Sequence, residues 1–186
     1  MKRVIVRLAL ALSLLCTPAL YAADSWNYRI GEEAPAFKLK SLAGKTVSSL
    51  DLKGQFAVVS FMTSWCPFCN ASVPALEKLS QTYATRGVHV LVVDVAEERG
   101  PIKKFVAEHS LTFPVLLDND GVVTTSYAPP PTLAPDLDRQ DVMIASFLIV
   151  DPSGKIQFLS LNEDTAKFDA KLTRLQARLD ELLAAR

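Results

Sequence analysis

Two cysteines stand close together in the segment SFMTSWCPFCNAS, residues 60–72. Cys66 and Cys69 are two of only three cysteines in the chain of 186 residues. Such a pair can form a structural disulfide, ligate a metal or exchange electrons with another thiol. A structural disulfide stabilises most when it closes a long loop, and this pair closes almost none. The spacing therefore gives little reason for a purely structural bridge.

A metal site needs more ligands than this pair supplies. A structural zinc takes about four ligands. The chain has two histidines, His89 and His109, and neither lies at ligand spacing from the cysteines. The sequence therefore predicts no metal cofactor, while a two-thiolate Cu(I) site stays open as an alternative.

The elements on either side of the pair favour thiol chemistry. A continuous apolar run, residues 56–62, precedes it and predicts a buried strand. A helical period of apolar residues follows it, at Val73, Leu76, Leu79 and Tyr83. Cys66 would then lie at the helix N-terminus, where unpaired N–H groups and the helix dipole favour a thiolate, the species that attacks disulfides. Cys69, one turn further on, is placed to resolve a mixed disulfide.

Three neighbours complete this motif. Pro67 suits the first helical position, because a proline there loses no hydrogen bond. Trp65 and Phe68 flank the cysteines and offer apolar contact to a partner polypeptide.

The remaining segments predict an α/β domain with a central mixed sheet and helices on both faces. In order, we expect a hairpin over 37–50, a buried strand over 88–96, a helix over 101–110, a short strand over 113–118, a short helix near 122–128 and a hairpin over 146–161. The proline-rich segment 128–141 predicts a loop. A last helix, capped by Asn162, is predicted to run to the C-terminus with Phe168 and Leu172 on its apolar face. Glu97, Glu98 and Arg99 are expected in a solvated loop.

The N-terminus has the layout of a secretory signal peptide. Lys2, Arg3 and Arg7 precede a short apolar run, and small residues follow. We expect residues 1–22 to be removed and 23–186 to form one domain, with cleavage after Ala23 or an uncleaved membrane anchor as alternatives. Secretion would place the cysteine pair in an oxidising compartment. Acidic and basic residues are equal in number, 20 of each, which argues against a nucleic-acid partner.

The segment FAVVSFMTSWCPFCNASVPALEKL, residues 56–79, resembles the active-site segment of thioredoxin-fold proteins. Residues 31–55, 113–123 and 146–156 extend the resemblance, which is greatest to TlpA/ResA-like thiol-disulfide oxidoreductases. It implies a thioredoxin fold with an N-terminal β-hairpin extension. It also implies that Cys66 is the exposed nucleophile, that Cys69 is the buried resolving thiol, and that Pro67 and Phe68 help to set the reduction potential.

Three positions depart from the family pattern. Ser60 and Ser72 stand where related proteins have acids that serve proton transfer at the buried thiol. Ala145, after Ile144, stands where the fold normally has a cis-proline facing the cysteines. A cis bond before a non-proline residue costs about 2.5–4 kcal/mol, so we expect a trans Ile144–Ala145 bond and an altered substrate-facing loop.

The resemblance implies a periplasmic enzyme whose only redox group is the Cys66–Cys69 disulfide. Its partners would be client thiols and disulfides, with reduction as the implied direction, as in the thiol supply for cytochrome c maturation. A reductant in that compartment would need a membrane electron donor, and we expect a monomer. The alternatives are a thiol peroxidase of the peroxiredoxin type and a non-enzymatic copper-handling module on the same scaffold.

Overall fold

The computed structural model describes residues 29–133, 135–161 and 168–185. Strands and helices alternate along much of the chain. In these residues they are β1 (Lys38–Ser41), β2 (Thr46–Ser48), β3 (Phe56–Met62), α1 (Pro67–Tyr83), β4 (Val88–Val95), α2 (Arg99–His109), β5 (Val115–Asp118), α3 (Val122–Tyr127), β6 (Ser146–Val150), β7 (Ile156–Ser160) and α4 (Thr173–Ala184). The predicted signal peptide and Asn162 lie outside the described residues.

All the strands belong to one mixed sheet of seven, in the order β2-β1-β5-β4-β3-β6-β7. The three central strands, β5, β4 and β3, run parallel, and the outer pairs are antiparallel. A central parallel strand is covered on both faces, which explains the unbroken apolar run over 56–62. Every residue of β3 is buried. The predicted α/β class with a central mixed sheet is confirmed.

The two faces of the sheet bury separate apolar clusters. Alternate residues of β3 point to opposite faces. Val58 and Met62 pack into the cluster that contains the buried side chains of α1, α2 and α4. Val59 and Phe61 pack into the other cluster, which includes Tyr127 of α3. Helix α1, which contains Cys69, therefore lies on the first face.

The N-terminal hairpin forms as predicted. β1 and β2 pair antiparallel, with Leu39 opposite Val47. β1 also pairs with β5, so the hairpin extends the central sheet at one edge. Within the described ranges, no helix combines the length and the apolar character needed to cross a membrane.

The last helix begins later than the sequence suggests. Residues 168–172 are not helical, and α4 begins at Thr173 after Leu172, whose φ of 54° lies in the left-handed region. The Asp169 carboxylate accepts a hydrogen bond from the Arg174 N–H at 2.9 Å and thus satisfies an open donor of the first turn. The prediction that Phe168 and Leu172 belong to the helix is wrong, although both still pack on the core.

The proline-rich segment forms a loop, as predicted, in its described part. Arg139 ties this loop to the end of α3 by donating hydrogen bonds to the carbonyl oxygens of Pro129 at 2.7 Å and Thr125 at 3.1 Å. A short 3-10 turn, Asp141–Met143, then leads toward β6.

Candidate active site

The cysteine pair lies where β3 passes into α1, as predicted. Cys66 is the N-cap residue of α1, and Pro67 occupies the first turn. The Cys69 backbone N–H donates a hydrogen bond to the Cys66 sulfur at 3.3 Å. A thiolate at this position therefore accepts from one of the open N–H groups of the helix and faces the positive end of its dipole. Both cysteines are free thiols in the structure.

The expectation of an exposed Cys66 is wrong. Cys66 is only 3% exposed and Cys69 is fully buried. Both belong to the apolar cluster on the α1 face of the sheet, and Phe68 and Ile144 pack against that cluster. Trp65, by contrast, is 67% exposed. The motif therefore presents one aromatic side chain to solvent, while both of its cysteines are buried.

The two thiols have opposite acidities. A hydrogen bond donated by the Cys69 thiol lowers the pKa of Cys66 from 9.0 to about 6, with help from the N–H groups of Cys69 and Phe68, while burial opposes this change. The same hydrogen bond, together with burial, raises the pKa of Cys69 far above the ordinary thiol value. At neutral pH, Cys66 is therefore the thiolate and Cys69 the protonated neighbour.

The chain before β6 closes one side of the site. The described peptide bonds are all trans, so the predicted trans Ile144–Ala145 bond is confirmed. Ala145 has a φ of 65°, in the left-handed region, and its N–H donates to the Phe61 carbonyl at 2.9 Å. Its side chain is buried in the same cluster as both cysteines. Of the two residues predicted to face a substrate, only Ile144 keeps a partly exposed side chain.

Aromatic rings continue this side of the site. Phe68 and Phe168 stack edge to face with their centroids 5.1 Å apart, and Phe168 lies 6.4 Å from Phe147 of β6. We call Phe68, Ala145, Phe147 and Phe168 the apolar wall.

The other side of the first turn of α1 is held by polar groups. The Asn70 side-chain amide donates to the carbonyl oxygens of Ser64 at 3.0 Å and Cys66 at 2.7 Å. Its oxygen lies 3.3 Å from Nε2 of His109, at the end of α2. Glu97 accepts hydrogen bonds from the Ser64 backbone N–H, at 2.8 Å, and from the Ser64 hydroxyl. We call Ser64, Asn70, Glu97 and His109 the polar wall.

Glu97 lies in the loop between β4 and α2, as expected, but it is only partly exposed and its carboxylate bonds to Ser64. Its carboxylate reaches back across the edge of the sheet to the chain two residues before Cys66. Sequence reasoning lacked a signal for this contact, because the two residues are 33 positions apart.

Asp94 lies beside this contact and was also missed. It is fully buried at the end of β4 and pairs with Met62 of β3. Burial raises the pKa of its carboxyl to about 8, and the nearby carboxyls of Glu97 and Asp118 add to the rise. Neither of its oxygens has a well-aligned hydrogen bond among the described residues. The sequence did contain a signal for Asp94, an acid inside the apolar strand VHVLVVDV. Because a buried charge is costly, an acid at such a position indicates an unusual environment.

The two serines at family acid positions are both buried. The Ser72 hydroxyl donates to the Cys69 carbonyl at 2.9 Å, whereas the Ser60 hydroxyl has no hydrogen-bond partner among the described residues. Neither position supplies a carboxyl. The described part of the chain also contains no cluster of three or more His, Cys, Asp or Glu side chains that could hold a metal ion.

Known proteins share this sequence pattern. The model of the AhpC/TSA family matches residues 30–159. The thiol-disulfide oxidoreductase ResA of Bacillus cereus (strain ZK / E33L) is 32% identical over 145 residues, covering 78% of this chain and 77% of the relative. The thioredoxin-like protein YneN of Bacillus subtilis (strain 168) is 36% identical over 149 residues, covering 79% of this chain and 80% of the relative.

Solved structures agree with the fold. A secreted Mycobacterium tuberculosis disulfide oxidoreductase homologous to Escherichia coli DsbE superposes with a TM-score of 0.62 and 26% identity, covering 81% of this chain and 96% of that one. The thioredoxin domain of a thiol-disulfide oxidoreductase from Bacteroides vulgatus gives a TM-score of 0.62 at 24% identity, over 80% and 96% of the two chains, and shows the fold. The chain thus has the thioredoxin-like fold and belongs to the AhpC/TSA family, as a thiol-disulfide oxidoreductase of the ResA type.

Proposed function

We propose that this enzyme exchanges disulfides with client proteins through Cys66 as the nucleophile and Cys69 as the resolving thiol. The observation that carries the proposal is the opposite acidity of two adjacent thiols at the N-terminus of α1. A thiolate attacks readily, while a protonated neighbour does not compete with it for the same client.

The reaction balances as a two-electron transfer. The Cys66 thiolate attacks one sulfur of a client disulfide, forms a mixed disulfide and releases a client thiolate, which takes up a proton. Cys69 then loses its proton and attacks the Cys66 sulfur. This second step releases the other client thiol, leaving the client reduced and the Cys66–Cys69 disulfide formed. The disulfide is the only redox group that this scheme needs.

Client access requires a small opening of the site. Because Cys66 is only 3% exposed, a client sulfur can reach it only if neighbouring side chains move. Trp65, which is largely exposed beside it, supplies the apolar surface on which a client first docks. The partly exposed Ile144, which packs against the cluster that holds both cysteines, is also proposed to touch the client.

We propose reduction of clients as the physiological direction, with cytochrome c maturation as the pathway. The support is the similarity to ResA-type proteins, which implies that the enzyme reduces its clients. A reductant that works outside the cytoplasm draws its electrons from a membrane donor. The basic and apolar N-terminal segment, residues 1–22, and the secreted Mycobacterium tuberculosis relative support a periplasmic location.

A trapping experiment tests the proposed roles. Cys69→Ser should accumulate a mixed disulfide with a model disulfide protein, because the resolving thiol is gone. Cys66→Ser should form no such adduct and should lose exchange activity. An adduct that persists in Cys66→Ser would refute the assignment of the nucleophile.

A peroxide assay separates the enzyme from a thiol peroxidase. The causes that lower the pKa of Cys66 are hydrogen bonds from Cys69 and Phe68, and no arginine is among them. We expect the reduced protein to consume hydrogen peroxide no faster than a free thiol of similar acidity. Rapid stoichiometric consumption by Cys66 would favour the peroxidase instead.

A further inference from the structure

The chain just before the CxxC motif is held by a charge that the exchange scheme does not use. The Glu97 carboxylate accepts two hydrogen bonds from Ser64, one from the backbone N–H at 2.8 Å and one from the hydroxyl. Two hydrogen bonds to one carboxylate fix both the position and the rotation of the residue they hold. The segment between β3 and α1 is thereby anchored to the end of β4.

This anchor continues to Cys66. The Ser64 carbonyl accepts a hydrogen bond from the Asn70 amide, and the same amide nitrogen donates to the Cys66 carbonyl at 2.7 Å. Glu97, Ser64 and Asn70 therefore form a continuous chain that ends on the backbone of the reacting residue.

Another acid lies beside Glu97. Asp94 of β4 is close enough for the two carboxyls to interact, and Asp94 also interacts with the charge of Asp118 at the end of β5. The interaction with Glu97 adds to the burial that raises the pKa of the Asp94 carboxyl. His109 faces the far end of the chain through Asn70.

We propose that Glu97 is a positioning residue for Cys66, acting through Ser64 and Asn70 on the first turn of α1. The thiolate depends on the Cys69 thiol and on N–H groups that must point at its sulfur. When the anchor is lost, this first turn loosens and the hydrogen bonds to the thiolate lengthen. This role rests on the proposed exchange function of Cys66, but it can be tested by alkylation without any client protein.

The sign of the change in the Cys66 pKa when Glu97 is replaced distinguishes a positioning role from a purely electrostatic one. Removing a nearby negative charge would by itself stabilise the Cys66 thiolate and lower its pKa. Loss of positioning would weaken the hydrogen bonds to the thiolate and raise the pKa. The two explanations therefore predict opposite signs for the same variant.

The test is the pH dependence of Cys66 alkylation by iodoacetamide, with the label assigned by mass spectrometry. For Glu97→Ala we expect the midpoint to rise by about one pH unit, a tenfold smaller thiolate fraction below the midpoint. Glu97→Gln should remain near the wild type, because its amide can accept from the Ser64 N–H and donate to the Ser64 hydroxyl. Glu98→Ala is the matched control, since Glu98 is an exposed neighbour with no side-chain capping bond, and should leave the midpoint unchanged.

An unchanged or lowered midpoint in folded Glu97→Ala would overturn the proposal, as would a rise of equal size in Glu97→Gln. If Glu97→Ala does not fold, Ser64→Ala replaces it, because this change removes only the hydroxyl half of the anchor. Ser64→Ala should raise the midpoint by a smaller amount, and no rise would overturn the proposal. Because alkylation does not depend on disulfide exchange, failure here leaves the trapping result in Cys69→Ser unaffected.

Discussion

The two walls of the cysteine site are built from opposite chemistry. The polar wall holds the backbone of Ser64 and Cys66 by directed hydrogen bonds that end on Glu97 and His109. The apolar wall instead packs aromatic rings and the Ala145 methyl against the buried sulfur region. The polar wall therefore holds the backbone at Cys66, and the apolar wall lies in the cluster that buries Cys69.

The acidities of the two thiols differ mainly through the hydrogen bond between them. The Cys69 thiol donates to Cys66, which lowers the pKa of Cys66 and raises that of Cys69, and burial raises the pKa of Cys69 further. Changes in the apolar wall should therefore act mainly on folding stability. Changes in the polar wall should cost less stability and act more on the reactivity of Cys66.

The largest effect is expected from Phe147→Ala in the apolar wall. Phe147 is buried on β6, and removal of a buried phenylalanine ring leaves a cavity that costs about 3–4 kcal/mol of unfolding free energy. Urea denaturation measures this loss. Trp65→Ala, an equally large change at an exposed ring of the same site, should cost less than about 0.5 kcal/mol. Equal losses in the two variants would mean that the apolar wall is not packed as described.

The next effect is expected from Ala145→Val. A β-branched residue is strongly disfavoured at a φ of 65°, and the extra methyl groups enter a packed core. Together these costs should lower the unfolding free energy by about 2–3 kcal/mol. Ala84→Val tests the same change at an exposed position with a φ of −53° and should cost under about 0.5 kcal/mol. A neutral Ala145→Val would contradict the left-handed conformation.

A pH-dependent effect is expected at Asp94, behind the polar wall. The unfolded chain releases this proton near the ordinary value of 3.8, whereas the folded chain keeps it up to about 8. Between these two pH values the folded state binds more protons than the unfolded state. The free energy of unfolding therefore falls as the pH rises. Asp94→Asn removes this dependence, so its stability relative to the wild type should rise steadily from about pH 4 to about pH 8.

Thermal unfolding of both proteins across this pH range measures the difference. Asp120→Asn, at an exposed aspartate in a turn, serves as the control and should follow the wild type at every pH. A constant difference between Asp94→Asn and the wild type would show that Asp94 does not hold a proton in the folded protein.

The smallest change in stability is expected from Asn70→Ala. This variant loses the amide bonds to Ser64 and Cys66 and should cost about 1–2 kcal/mol. The variant should also change the reactivity of Cys66, and the pH midpoint of its alkylation should rise above about 6. Gln81→Ala removes a surface amide bond on the same helix and should change neither quantity measurably. A stable Asn70→Ala protein with an unaltered midpoint would remove Asn70 from the polar wall.

The sequence was sufficient to predict the strand, the turn and the helix around the cysteines, because each depends on a local pattern. The apolar run of β3, Pro67 and the helical spacing of α1 all lie within 28 residues. It also predicted the absent cis bond at Ala145 from a single substitution. The start of α4 was missed, because the Asp169 cap is a weaker local signal than the apolar period that extends upstream of it.

The polar wall was beyond sequence reasoning for a physical reason. Its members come from the segment before α1, from α1 itself, from the end of β4 and from α2, and only the parallel pairing of β3 with β4 brings Ser64 next to Glu97. The burial of Cys66 was missed for the same reason. The Phe68 and Ile144 side chains that pack against its cluster lie far apart in sequence.

The most direct measurement is the reduction potential of the Cys66–Cys69 pair, obtained by equilibration with glutathione and trapping of free thiols. If the enzyme reduces its clients, the two-electron reduction potential of the pair should lie near the thioredoxin value of roughly −270 mV. A potential near about −120 mV would make the protein a disulfide donor and contradict the proposed direction. Failure of the two cysteines to form a disulfide at any glutathione ratio would contradict the redox site itself.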